Sequence, residues 1–159
     1  MRSTLYRIDT PGPGLLATMA KPRGDDWLDD EMAALAEAGV DVLVCAMPAA
    51  ERAEVGLRGE PAAARGAGLT FMAIPIPDLT VPDHHSIRPA LDELAGKFRA
   101  GASIVTHCRF GIGRASLLAA SVLVLAGVEP EDAWRRIEAA RGRPVPDTPE
   151  QREWVATLM

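Results

Sequence analysis

Three short apolar runs punctuate the chain: VDVLVC at 40–45, LTFMAI at 69–74 and SIVT at 103–106. Longer stretches lie between them, and their apolar residues return with helical spacing. A continuous β-branched run of this length is how a strand buried on both faces reads, because both sides of the pleat meet apolar neighbours. Such strands, alternating with helices, leave few arrangements. They build a largely parallel sheet with helices packed on its sides, an α/β fold. LLATM at 15–19, after a Pro- and Gly-rich entry, adds another short strand.

The helical stretches carry their own punctuation. Asp25 or Asp26 is placed to cap a helix running to about Ala38, with Leu28, Met32 and Leu35 on one face. Gly39 then ends it. Residues 51–67 read as helical but broken by glycines and Pro61. The loop PIPDLTVPD, stiffened by three prolines, leads to Asp83, which caps a helix reaching Arg99 and carrying Ile87, Leu91, Leu94 and Phe98. A helix begins near Gly113 or Arg114. Its ASLLAASVLVLA is apolar on nearly every side and belongs in the middle of the molecule. Helices over Pro130–Arg141 and Thr148–Leu158 close the chain, the last opened by TPEQ, a threonine cap with proline next and glutamine at N3. Trp27, Trp134 and Trp154 fall on helical faces with apolar neighbours and are expected in the core.

With 159 residues, 48% of them hydrophobic and 25% charged, the chain reads as one globular domain over 1–159. A net charge of −5 argues against nucleic acid or an anionic membrane as the main partner, since both need a basic footprint. An anionic substrate must then bind at a focused local site. The N-terminus lacks a signal-peptide pattern, and the longest apolar run, 115–127, is shorter than the roughly 20 residues a bilayer needs. Two cysteines make no disulfide scaffold, so the expectation is a reduced, cytoplasmic protein.

One of those cysteines sits where the chemistry concentrates. In HCRFGIGR, residues 107–114, Cys108 follows a buried strand, and Gly111 and Gly113 let backbone N–H groups converge on one concavity. The helix starting near Arg114 aims its positive end into the same space, and Arg114 adds a planar fork for two oxygens of a phosphate. Thiols in such settings have pKa values of roughly 3.5 to 7.5, against a free value near 8.5. The stretch therefore combines a cradle for a tetrahedral anion with a thiolate nucleophile.

His107-Cys108, five residues and Arg114 together resemble the HCxxxxxR phosphate loop of the cysteine-dependent tyrosine and dual-specificity phosphatases. The strand end VLVC, the PIPD loop and the closing TPEQ fall in that family's order. The length and an upstream acid loop are similar to its compact atypical and kinase-associated members. The resemblance implies a protein tyrosine phosphatase-like fold, a cysteinyl-phosphate intermediate on Cys108, and phosphoryl oxygens held by Arg114 and the loop Arg109, Phe110, Gly111, Ile112 and Gly113. It implies a proton donor at Asp78, with Asp83 as the rival that helix capping explains better. His107 is expected to bond to the loop from behind. Gln151 resembles a water-orienting glutamine, and its capping-box role accounts for it equally well. No metal or cofactor is implied, because the loop itself supplies positive charge. The partner is a phosphorylated protein or peptide, and the oligomeric state is left open.

Three residues qualify this expectation. Most relatives carry serine or threonine after the arginine, to ease departure of the cysteine sulfur. Here Ala115 stands there, with Ser116 one residue and about 100° of helix late. Phosphatases of regenerating liver share that arginine–alanine pair, so a slow enzyme or phosphate-binding module is the alternative reading. Phosphoinositide or RNA 5′-phosphate hydrolysis is a further one, although the loop offers only Arg109 where phosphoinositide phosphatases have extra lysines. Cys45 ends a strand, as does a cysteine close to the nucleophile in the kinase-associated phosphatase. A redox bridge from Cys45 to Cys108 stands beside the plain core reading. His84 and His85 read as surface residues, and Arg141 and Arg143 either face a phosphopeptide or are solvated.

Overall fold

The computed structural model describes residues 4–159. Its centre is a five-stranded sheet in the order β1-β2-β5-β3-β4, formed by β1 (Tyr6–Ile8), β2 (Leu15–Met19), β3 (Val42–Cys45), β4 (Thr70–Ala73) and β5 (Ser103–His107). β2, β5, β3 and β4 run parallel, and β1 pairs antiparallel with β2 at the edge. The expected α/β architecture is therefore present. β1 is an addition to the strands read from the sequence: it has only three residues, one of them Arg7, too few for a periodic signal.

β3 and β5 are buried at every position, and their alternation feeds two separate core layers. Val42 and Val44 point into one layer, Leu43 and Cys45 into the other. The first layer lies beneath α4 (His84–Arg99), α5 (Arg114–Leu125), α6 (Pro130–Arg141) and α7 (Pro149–Ala156). The second is covered by α1 (Leu28–Glu37) and α3 (Glu60–Gly66). α5 is packed by α4, α6, α7 and the strands β2 and β5, which is why its apolar residues encircle it.

Asp83 caps α4 by accepting the Ser86 N–H, and the full capping box closes on α7. At α1 the expectation fails. A 3₁₀ turn over Asp25–Trp27 precedes the helix, and neither aspartate side chain caps it. Asp25, at φ +51°, instead donates its backbone N–H to the Gly56 carbonyl at 2.8 Å. The 51–67 region resolves into α2 (Ala49–Glu54) and α3, with Gly56 at φ +76° between them. Pro61 lies in the first turn of α3, where it starts the helix and does not break it. Trp134 and Trp154 are buried as expected, but Trp27 is half exposed under the Arg23 guanidinium, 4.2 Å from its ring centre. Among the described residues, no helix is long and apolar enough to cross a membrane.

Candidate active site

β5 delivers His107 and Cys108 to the carboxyl edge of the sheet, and α5 begins six residues later at Arg114. Residues between them curl around the sulfur. The Gly111 N–H donates to Cys108 Sγ at 3.3 Å. Gly111 has φ +74°, and a Cβ there would sit 2.7 Å from the Met19 carbonyl carbon, so the turn admits glycine alone. A Cβ on Gly113 would lie 2.2 Å from Asp147 Oδ2. Gly113 caps α5 with no side-chain hydrogen bond, so the first N–H groups of the helix stay available to an anion.

Arg114 is almost wholly buried, and its guanidinium is fixed from the far side. Nη1 and Nη2 each donate to one oxygen of Glu51 at 2.8 Å, and Nη1 also reaches the Ile76 carbonyl at 3.0 Å. Nε has no hydrogen-bond partner and lies 3.4 Å from Asp78 Oδ1. Burial works against the charged guanidinium, but Glu51, Cys108 and Asp78 together raise the Arg114 pKa further. The hydrogen bonds from Arg114 in turn hold the Glu51 carboxyl below its ordinary range, against burial.

Asp78 is exposed on the loop between β4 and α4, beside Leu79 at φ +62°. Gln151 reaches the same loop. Its Nε2 donates to the Thr80 carbonyl at 3.3 Å, while its Oε1 accepts from the N–H groups of Asp147 and Thr148. Fully buried and bonded to three backbone groups, Gln151 ties the cap of α7 to the loop that carries Asp78. Asp147 stands exposed at the rim, and partial burial and the nearby Asp78 charge raise its pKa despite Arg143 and Arg114. Phe110 is 63% exposed, Arg109 and Ile112 are partly so, and Leu79 beside Asp78 is exposed as well. Arg141 braces the loop by donating to the Gly111 and Phe110 carbonyls, with its guanidinium over the Tyr6 ring at 4.2 Å. Arg143 is exposed.

Behind the loop, His107 is fully buried, with Nδ1 3.2 Å from the Cys108 carbonyl and Nε2 2.5 Å from Glu60 Oε2. Cys45 joins these two as the one group of His, Cys and carboxylate donors, among the described residues, close enough to share an ion. The 2.5 Å separation is that of a direct hydrogen bond, shorter than the about 3.3 Å between two donors on a tetrahedral zinc. Cys45 and Cys108 are both buried and both carry free thiols. Cys45 packs in the layer of α1 and α3, whereas Cys108 and the next residue of the strand end, Ala46, belong to the other layer. Ala115 is buried, its carbonyl accepting from Thr106 Oγ1, and the buried Ser116 hydroxyl has no partner, the sulfur included. His84 stacks on Trp154 at 4.5 Å, away from the loop.

Glu51, Glu60 and Asp147 were missed by sequence reasoning. Each approaches the loop from a distant segment, and no local pattern marks it.

A family model described as "Polymorphic toxin system, DSP-PTPase phosphatase" matches residues 17–128. No curated protein matches the sequence. Among solved structures, a kinase associated phosphatase with its catalytic-site cysteine replaced by serine superposes with a TM-score of 0.84 at 17% identity, covering 98% of this chain and 93% of that one. The active form of Tk-PTP gives 0.76 at 22% identity over 96% and 95% of the two chains. PTPMT1 in complex with PI(5)P gives 0.74 at 18% identity over 90% and 88%. At these identities the likeness speaks for the fold.

Proposed function

The chain belongs to the DSP-PTPase phosphatase family, and from that premise we propose that it hydrolyses phosphotyrosine, with phosphoserine and phosphothreonine as further substrates, through a cysteinyl-phosphate. The observation that carries this is the arrangement around one point. The Cys108 sulfur, the start of α5, the unpartnered Nε of Arg114 and the Asp78 carboxyl converge there.

In the first step the Cys108 thiolate attacks phosphorus. The bond from phosphorus to the ester oxygen breaks, and the Asp78 carboxyl gives its proton to that oxygen. In the second, water attacks phosphorus, the Asp78 carboxylate takes the water's proton, and the P–S bond breaks to release phosphate and the thiolate. Arg114 and the loop N–H groups hold the equatorial oxygens throughout. Exposed Phe110 and Leu79 beside a single loop cation, Arg109, suit an aryl phosphate better than a polyphosphorylated headgroup. The polymorphic toxin system in the family description supports reading the chain as the phosphatase of such a system; one domain over 1–159, a cytoplasmic location and a phosphorylated protein as partner complete the proposal.

Ala115, with the Ser116 hydroxyl away from the sulfur, favours a second reading: a slow enzyme that holds phosphate and releases it reluctantly. PI(5)P on PTPMT1 keeps a phosphoinositide ester in the comparison. The test is phosphate release from an aryl phosphate, phosphotyrosyl and phosphoseryl peptides, and a phosphoinositide, by wild type, Cys108→Ser and Asp78→Asn. Highest kcat/KM on the tyrosyl peptide, abolished in Cys108→Ser and reduced at least about hundredfold in Asp78→Asn, is expected. Release that survives Cys108→Ser, or a preference for the phosphoinositide, overturns the proposal.

A further inference from the structure

Cys45 from the end of β3, Glu60 from the first turn of α3 and His107 from the end of β5 form a fully buried cluster behind the Cys108 loop. His107 offers one ring nitrogen to each of two acceptors, the Cys108 carbonyl and Glu60 Oε2. Against an ionised Glu60, a neutral imidazole with its one N–H would face one acceptor with a lone pair, whereas an imidazolium donates to both. Glu60 depends on the same charge: its other oxygen, Oε1, is buried without a hydrogen-bond partner. A buried pair with an unanswered oxygen is a poor source of stability, and well-packed apolar residues commonly replace such pairs without loss. Function accounts for it better. Burial pushes His107 toward the neutral form, but Glu60 and Cys45 beside it hold its pKa well above the usual 6.5.

We propose that Glu60 is a positioning residue for Cys108, keeping His107 an imidazolium whose Nδ1–H grips the Cys108 carbonyl and whose charge lies directly behind the thiolate. This rests on reading Cys108 as the nucleophile. Glu60 of α3, Cys45 of β3 and Cys108 face His107, and β2 places the uncharged Met19 opposite it in the ladder. The sulfur itself faces the Gly111 N–H and the charge of Arg114, whose own partners are Glu51 and Asp78. The cation behind the loop is therefore a separate contribution, relayed from Glu60 Oε2 through the ring to the Cys108 carbonyl. A Glu60→Gln side chain still meets Nε2 but no longer favours the cation, so the ring reverts to neutral in its buried site.

The test is the pH dependence of Cys108 alkylation by iodoacetamide, with the labelled residue identified by peptide mass spectrometry. Below the plateau of the profile, Cys108 in Glu60→Gln is expected to react about tenfold more slowly than in wild type, with both reaching one plateau at high pH. Superimposable profiles overturn the proposal. A wild-type Cys108 no more reactive than a free cysteine at any pH overturns the nucleophile assignment instead, so the two failures are distinct. Independently of whether the variant folds, imidazole nitrogen shifts of wild-type His107 must report a ring that stays an imidazolium well above the ordinary histidine range. A ring that deprotonates at or below its ordinary value overturns the proposal.

Discussion

Glu51 grips both terminal nitrogens of Arg114 at 2.8 Å and leaves Nε without a hydrogen bond, 3.4 Å from Asp78 Oδ1. The fork is thus anchored before any phosphate arrives, and an incoming oxygen meets a donor already aimed. Glu51→Gln keeps the shape but gives up one charge-assisted acceptor. Steady-state kinetics on an aryl phosphate should then show kcat/KM about tenfold lower. Because Arg114 holds the Glu51 carboxyl below its usual 4.5, the pair's stabilisation is complete above about that pH and is lost as pH falls through the lower folded value. The acid limb of a thermal-melt series should therefore be shallower in Glu51→Gln than in wild type.

His107 sets the opposite limb. Its pKa is raised on folding, so the stabilisation from its pairing with Glu60 is fully present below about pH 6.5 and fades as pH rises through the folded value. Melting temperature followed upward from about pH 6 should decline more steeply in wild type than in Glu60→Gln, where the ring folds neutral. Equal slopes would mean that His107 does not carry the charge assigned to it.

On the proposed mechanism, the residue after Arg114 bears on the second step. With Ala115 in place and the Ser116 hydroxyl unpaired, the first turn of α5 offers the departing sulfur no hydroxyl. Ala115→Ser supplies one. Rapid-quench kinetics should show kcat rising about tenfold and the fraction of phosphorylated enzyme at steady state falling. An unchanged kcat would place the slow step elsewhere.

Asp147 puts a second carboxylate against the phosphate loop, where it opposes an arriving anion. Asp147→Asn removes that opposition at an exposed site, so the gain is modest. Inorganic phosphate should inhibit about two- to fivefold more strongly, read as a lower Ki. Weaker inhibition would give the carboxyl a role in holding the loop.

The parts of the site that lie close in sequence were legible before any coordinates. Cys108, both glycines and Arg114 fall within seven residues, and strand, turn and helix start each leave a local mark there. Asp83 as a cap and Gln151 in the capping box were equally local. What could not be read is what the loop leans on. Glu51 meets Arg114 across 63 residues, and Glu60 meets His107 across 47. A glutamate in a helical stretch looks the same whether it faces water or a buried cation. Cys45 had two readings in the sequence, core residue or redox partner, and the fold places its side chain in the layer of α1 and α3 beside His107 and Glu60. At α1, Asp25 gave the sequence pattern of a cap, yet its backbone bond to Gly56 governs the turn.

The most direct measurement of the central claim is covalent. Asp78→Asn, mixed with an aryl phosphate whose leaving group needs no proton and quenched in acid within milliseconds, is digested and analysed by mass spectrometry. The account predicts a phosphate adduct on the peptide containing Cys108, absent from Cys108→Ser. Phosphate released at the wild-type rate from enzyme that never carries the adduct would contradict it.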